Sequence, residues 1–326
     1  MTVHSILDIN EPSGKFSGYA LVKSVQHATA SNGSPYFTIF LSEKEKSVNC
    51  KLWENQFQNN TIPELQNIFK VGQIVFVEAS ISEYRGDTQM TLLNYRSTTE
   101  DEIDLTDFIA SAPESLDSMQ EEFESYIEAI ENNMIRTICH DLYMDNQSLF
   151  LTHPAAKTFH HSFRSGLLYH TLSMLRLAKH ICSQYAHLNR DLVYAAIALH
   201  DLGKVVELTD ALAPDYTKVG NLLGHITIVN MFIDRKVQQL KMDDNQWERK
   251  DFDLVYELMH ITSAHHGKLE YGSPVEPKIL EAEVVHLIDM LDSRINMVID
   301  GLNDDNLSLD DPKLIRPLGL YYKTTK

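Results

Sequence analysis

The sequence predicts a two-domain protein, an N-terminal all-β barrel followed by an all-α helical bundle. Three observations carry that prediction. Up to residue 96 short apolar-polar alternating runs are separated by Gly and Asn turns; from residue 159 to 296 only helical periodicity is found; an acidic, turn-rich passage lies between the two. A chain of 326 residues has room for two domains, and 43% hydrophobic residues are enough to build a core in each.

In the first part, FSGYALVKSVQ, PYFTIFLS, SVNCKLW and QIVFVEASISEYRGDTQMTLLNY read as strands, with SNGSP as the first turn and IPELQNIF as a short helix. Five strands with a helix between the third and fourth is the order of an OB barrel, assigned to residues 1–97. Tyr36, Trp53 and Tyr84 are candidates to stack bases of a single strand, with Lys51, Arg85 and Arg96 along its phosphates. Any one of these aromatics taken alone is better explained by strand packing. As a set in an OB order they point to single-strand binding.

Residues 98–135 are expected to form a linker and a docking helix. The linker, TTEDEIDLTDFIASAPESLD, is acidic and rich in turn formers, so little should pack there. The following segment, MQEEFESYIEAIENNMIRTICHDL, is predicted as one helix with Phe123, Ile127, Ile130, Met134 and Ile138 on the face that docks.

The helical domain, residues 136–326, is organised around residues 192–204, LVYAAIALHDLGK. Val193, Ala196 and Ile197 recur at helical spacing, His200 and Asp201 fall in the last turn, and Gly203 is expected to close the helix in the left-handed conformation. Neighbouring helical residues lie about 100° apart, so a metal ion between the two directions could take both side chains. His140-Asp141 is an internal control: it lacks the following Gly-Lys and reads as a surface or capping pair. His170 lies on the apolar stripe of Leu167, Met174, Leu177 and Ile181; His225 follows Gly224 at a helix start; His265-His266-Gly267 and Asp289 come later. The order is H, HD, H, HH, D, each on or beside a separate apolar helix.

That order resembles the HD-domain superfamily of metal-dependent phosphohydrolases, with FRSGLLYHT, ALHDLGK, GHI, AHHG and IDMLDS as the matching pieces. With a preceding OB-like domain and the FRSGLLYHTLSML opening, the chain looks like the YhaM family of 3′-to-5′ exoribonucleases. The resemblance implies that His170, His200 and Asp289 hold one ion, that His225, His265 and in some arrangements His266 hold a second, and that Asp201 bridges them. Two ions about 3.5–4 Å apart can activate a water and stabilise the leaving oxygen of a phosphodiester. A His/Asp set without cysteine suits Mn²⁺, the ion the resemblance implies, with Fe²⁺ or Co²⁺ as alternatives and zinc not separated by ligand type. Lys204 and Arg164 are further candidate catalytic residues, for a phosphate oxygen or the departing alkoxide; an ordinary helix-end lysine and an ordinary ion pair are the competing readings. His153, His160, His161, His260 and His286 read as core groups or as donors to carboxylates behind the ligands, and Asp292 as a partner of Arg294 or such a histidine.

Charge and cysteines set the outer limits. The net charge of −18 argues against a basic protein that coats nucleic acid, but the excess is uneven: residues 1–96 hold 8 basic and 9 acidic side chains. No apolar run approaches a membrane span and no secretory signal is visible at the start, so no membrane partner and a cytoplasmic location are expected. Cys50, Cys139 and Cys182 make no spaced pair and read as buried thiols. The expected partner is single-stranded RNA, with single-stranded DNA as a second substrate and a homo-oligomer left open. Two other functions compete: hydrolysis of free nucleotides or cyclic dinucleotides, whose enzymes carry Gly-Tyr-Pro where this chain reads HHGKLEYGSP, and nucleic-acid binding with an inactive HD domain.

Overall fold

The structure, a computed structural model, describes residues 2–325 apart from 12, 45, 85–86, 100–101, 105–106, 157–162, 210–213, 244–246 and 304–308. The chain divides into two compact units, Met1–Ser111 and Ala112–Lys326.

In the first unit a short β1 (Thr2–Val3) precedes β2 (Gly14–Thr29), β3 (Pro35–Glu43), β4 (Lys46–Trp53), the helix α1 (Ile62–Ile68), β5 (Ile74–Tyr84) and β6 (Asp87–Ser97). The strands follow the order β2-β3-β4-β6-β5, and β5 pairs back onto β2, so the sheet closes; β4 and β6 run parallel and the other barrel pairs antiparallel. This is the predicted OB barrel with its helix between the third and fourth barrel strands. β2 is long enough to serve two neighbours. Its first half pairs with β5 and its second with β3, the shift falling at an irregularity between Val22 and Ser24. Alternation puts Phe16, Phe37, Ile39, Leu41, Leu52, Val75, Val77 and Met90 inside. The acidic passage packs more than its composition suggested: Phe108 is buried, and its carbonyl accepts from Lys44 N at 2.8 Å. Residues 98–111 accordingly group with the barrel unit.

The second unit comprises α2 (Leu116–Glu128), α3 (Asn133–Phe150), α4 (Gly166–Gln184), α5 (Arg190–Leu199), α6 (Lys204–Glu207), α7 (Lys218–Asp243), α8 (Arg249–Ala264), α9 (Leu280–Leu302) and a small hairpin, β7 (Lys313–Ile315) and β8 (Gly319–Tyr321). The single helix expected over residues 119–142 is two helices. Asn132 caps the second by accepting from Ile135 N at 3.0 Å, which stops the first helix and starts another direction. Phe123, Ile127, Ile130 and Ile138 still reach the core, as the apolar face required.

α5 is the centre of the bundle, with every residue from Leu192 to Leu199 buried. A fully buried aliphatic side chain contributes roughly 1.5–3 kcal/mol, so this helix is a rigid mount for whatever follows it. α4 is fixed from outside by Arg176, which forks onto Glu114 at 2.7 and 2.7 Å and onto Glu122 at 3.0 and 2.6 Å. The apolar tail forms the β7–β8 hairpin, whose Ile315 packs where a side chain on Gly301 would otherwise stand. Among the described residues no helix is long and apolar enough to cross a membrane. Cys50 and Cys139 are buried thiols, as expected, while Cys182 is only half-buried.

Candidate metal centre

The end of α5 carries two of the candidate ligands. His200 N makes the last helical bond, to Ala196 O at 2.7 Å; the chain turns through Asp201, Leu202 and Gly203, and Lys204 N closes the turn on Asp201 O at 2.9 Å. Gly203 is not left-handed, contrary to expectation: its φ is −60° and ψ −19°. Its glycine has another cause. A Cβ there would lie 2.1 Å from the carbonyl oxygen of His225, so the missing side chain lets the His225 backbone press against the turn that bears Asp201. The unusual conformation belongs to Gly224, at φ 69° and ψ 155°, a region essentially reserved for glycine. It breaks α7 so that His225 opens the second segment.

Five histidines converge here and all direct Nδ1 outward to an acceptor. His170 Nδ1 donates to Asp292 Oδ2 at 2.7 Å, His200 Nδ1 to Ile197 O at 2.8 Å, His225 Nδ1 to Glu207 Oε1 at 3.1 Å, His265 Nδ1 to Thr262 O at 2.7 Å and His266 Nδ1 to Tyr271 O at 2.9 Å. Those acceptors place the ring proton on Nδ1 and leave the lone pair on Nε2.

The Nε2 atoms gather around Asp201 in two groups. His200 Nε2 and His170 Nε2 lie 3.3 and 3.8 Å from Asp201 Oδ2, and Asp289 Oδ1 lies 3.3 Å from His170 Nε2. His225 Nε2 and His265 Nε2 lie 3.4 and 3.9 Å from the other oxygen, Oδ1. Ligands bound at about 2.1 Å to one ion and separated by 90° to 180° stand roughly 3–4.2 Å apart, which these distances match. His170, His200 and Asp201 form one group able to hold a metal ion, and His225, His265 and His266 a second. Among the described residues, four buried atoms at the centre, His200 Nε2, Asp201 Oδ1, His225 Nε2 and His265 Nε2, have no hydrogen-bond partner. Burying such atoms unpaired is costly. A cation shared by them would remove the cost, so the donor set fits divalent metal.

Electrostatics agree with that reading. Burial alone would push Asp201 up, but the Lys204 ammonium, 2.8 Å from Oδ2, and His200 hold it well below the ordinary carboxylate range. Asp289 is likewise held far down against its burial, by His170. Burial drives His265 well below the usual imidazole value and lowers His266, so both present lone pairs at neutral pH. His170 is the exception. Burial opposes its charge, but Asp289 and Asp292 overcome that and raise it to about 10.

Other predicted residues fall elsewhere. Arg164 is half-buried just before α4, its carbonyl accepting from Ala112 N, and its guanidinium makes no hydrogen bond or ion pair with the cluster among the described residues. His140 and Asp141 pair at 3.4 Å on the outside of α3, as the control required. His260 accepts from Lys278 N and His286 donates to His265 O, main-chain partners in place of the expected carboxylates. His160, His161 and Arg85 lie outside the described residues.

On the barrel, Tyr36 and Trp53 are directly opposite on β3 and β4 with ring centroids 5.0 Å apart, and Lys51 Nζ stands 5.0 Å from the Tyr36 centroid. Tyr84 is exposed at the end of β5, away from that pair. Arg96 does not join them. It pairs with Glu102 at 2.8 Å and lies over Phe76 on β5, its cross-strand neighbour, because strand register gives it to the β2–β5 side of the barrel.

Sequence reading missed Glu207 altogether and gave Asp292 the wrong partner. Asp289 and Asp292 are three residues apart on α9 and meet His170 and Ser173, three apart on α4; Ser173 Oγ donates to Asp292 Oδ1. That matched spacing was the available signal. For Glu207 it was a lone acid ending the apolar run VVEL.

The HD domain model matches residues 167–294. The chain is 41% identical over 281 residues to the 3′-5′ exoribonuclease YhaM of Halalkalibacterium halodurans, covering 86% of this chain and 83% of that one. It is 38% identical to the 3′-5′ exoribonuclease YhaM of Bacillus subtilis, covering 89% and 88%, and 39% identical to that of a Geobacillus species, covering 86% and 82%. With the barrel, the helical bundle and the H, HD, H, HH, D residues all in place, the chain belongs to the YhaM family of 3′-5′ exoribonucleases.

Proposed function

We infer that this protein is a metal-dependent 3′-5′ exoribonuclease acting on single-stranded RNA. The observation that supports it best is Asp201, whose two carboxylate oxygens face two separate groups of histidines, with the Nε2 atoms of His200, His225 and His265 unpaired among the described residues. We assign His170, His200, Asp201 and Asp289 to one ion and His225, His265, His266 and Asp201 to the other. Manganese is the proposed ion for both, with iron(II) or cobalt(II) next by ligand chemistry. When bound, such a pair supplies a hydroxide at neutral pH and neutralises charge on the phosphoryl oxygens. The chain's own residues do the rest. Asp292 and Glu207 hold His170 and His225 in one tautomer and orientation, the apolar wall of α5 and α8 limits water, and Lys204 keeps a positive charge 2.8 Å from Asp201 to attract the phosphate.

The barrel contributes binding. Exposed Trp53 with half-buried Tyr36 and Lys51 forms an aromatic and cationic platform on β3 and β4, suited to stacking bases and pairing a phosphate; the near-neutral charge of residues 1–96 favours stacking over electrostatic coating. Digestion of a 5′-labelled single strand with added Mn²⁺ tests the whole reading: a ladder shortening from the 3′ end is expected, and a 3′-terminal phosphorothioate should block it. Faster cleavage of a cyclic dinucleotide than of any oligonucleotide, without dependence on length, would overturn it.

A further inference from the structure

The metal centre is closed on one side and open on the other. His170, His200, His265 and Asp201 are buried, whereas His225, His266, Asp289 and Lys204 keep part of their surface. The accessible approach to Asp201 therefore runs along these four residues. His225 and His266 stand side by side there, with ring centroids 5.3 Å apart. Side chains next to them on the surface meet the nucleotides on either side of a phosphate bound at the centre.

Both rings are flanked by exposed apolar side chains. On one flank Leu222 and Leu223 lie just before Gly224 and His225 in α7, with Leu222 71% exposed. On the other flank a single 3-10 turn, Leu269–Tyr271, follows the His265-His266-Gly267 run and exposes Leu269 and Tyr271, the latter by 57%. That turn is tied to the centre by main-chain groups. Tyr271 O accepts from His266 Nδ1 at 2.9 Å, and Lys268 N donates to His266 O at 3.0 Å. Gly272, at a left-handed φ of 90° suited to glycine, closes the turn by donating its N–H to Leu269 O at 3.0 Å. Tyr271 thus holds His266 through its carbonyl, and its ring takes no part in that bond. Lys268 Nζ stands 5.6 Å from the ring centroid; its pairing with Glu270 at 3.5 Å is exposed and contributes little. An aromatic fixed at the rim of a polar centre, with a cation beside it, suits the face of a base and its attached phosphate.

We propose that Tyr271 is a stacking residue of the nuclease site: its ring takes one of the two bases that flank the scissile phosphate, while Leu222 and Leu223 bound the opposite side of the opening. Stacking of this kind is indifferent to sequence, because every base has a π-face. The role rests on the exoribonuclease reading of the metal centre, and it gives the end of the strand a grip of its own beside the histidines.

Single-turnover cleavage with Mn²⁺ at subsaturating enzyme tests it on three 5′-labelled strands: one intact, one whose last residue lacks its base, and one whose next-to-last residue lacks it. On the intact strand Tyr271→Ala should slow the first cleavage by about tenfold, the scale of one stacked base, and Tyr271→Phe should keep the wild-type rate. Metal content should match wild type in both variants, since the bond to His266 comes from the main chain. Removing the ring and removing the base act on one contact, so for one of the two abasic strands the two losses should not add. Additive losses on both abasic strands, a Tyr271→Ala rate equal to wild type on the intact strand, or a Tyr271→Phe loss as large as that of Tyr271→Ala would overturn the stacking role and leave the exonuclease reading in place. So would a fall in metal content with equal losses on all three strands, which would mark a structural effect on His266. Wild-type protein that shortens no strand would overturn the exonuclease reading itself, and the role of Tyr271 with it.

Discussion

Gly203→Ala places two physical effects of opposite sign in competition. At φ −60° and ψ −19° alanine suits the backbone, and by reducing the freedom of the unfolded chain it would stabilise by about 0.4–1 kcal/mol if nothing else changed. The added Cβ, however, would sit 2.1 Å from His225 O and 2.8 Å from its carbonyl carbon. Relieving that contact needs a separation above 3.0 Å, so the His225 backbone has to retreat by roughly 1 Å, and overpacking of this kind costs about 1–3 kcal/mol. Steric cost exceeds the entropic gain. His225 carries Nε2 to within 3.4 Å of Asp201 Oδ1, and the retreat pulls it from the second group of ligands while His170, His200 and Asp289 stay in place. A misplacement of about 1 Å costs on the order of 10²-fold in rate. The expected variant is therefore folded, slightly less stable, depleted in one ion of two and about a hundredfold slower on single-stranded RNA. Metal content by mass spectrometry, thermal denaturation and single-turnover kinetics measure the three parts. A variant with full metal content and full rate would show that His225 does not depend on the Gly203 contact, and the reasoning would fail.

Three further outcomes are expected. Asp201→Ala should abolish hydrolysis and lower metal at both groups, since its oxygens face each; full occupancy with retained activity would rule out the bridge. Asp292→Asn and Glu207→Gln should each weaken metal binding by about ten-fold or more, the first at the His170 group and the second at the His225 group, so titration calorimetry that finds the same site affected by both would refute the division. Removing residues 1–111 should raise KM on strands of about ten nucleotides far more than on a dinucleotide, because several stacked bases are lost while the metal groups are untouched; equal losses on both substrates would mean that the barrel does not bind the strand.

Much was written along the chain itself. Alternation with a period of two set the strands of the barrel and the run of the α5 helix set the core of the bundle, because both depend on which side of a local element is apolar. Residue chemistry in order, His170, His200-Asp201, His225, His265-His266 and Asp289, was enough to expect a His and Asp metal site. The split of residues 119–142 into α2 and α3 depended on a local signal too, the Asn132 cap, but a continuous apolar face from Phe123 to Ile138 masked it.

Tertiary structure decided what local spacing does not contain, namely which faces meet. Spacing puts Asp289 and Asp292 on one side of α9, yet only the crossing of α9 with α4 gives one to His170 Nε2 and the other to His170 Nδ1. The closed register of the barrel turns Arg96 toward Phe76 and Glu102 instead of the Tyr36–Trp53 platform. Gly203 is glycine because the backbone of His225, over twenty positions later, needs the space a Cβ would fill. Sequence determined the candidate ligands and the helices that mount them. Contact between elements distant in the chain determined which atom of each ligand faces inward, since a side chain's direction is completed by what packs behind it.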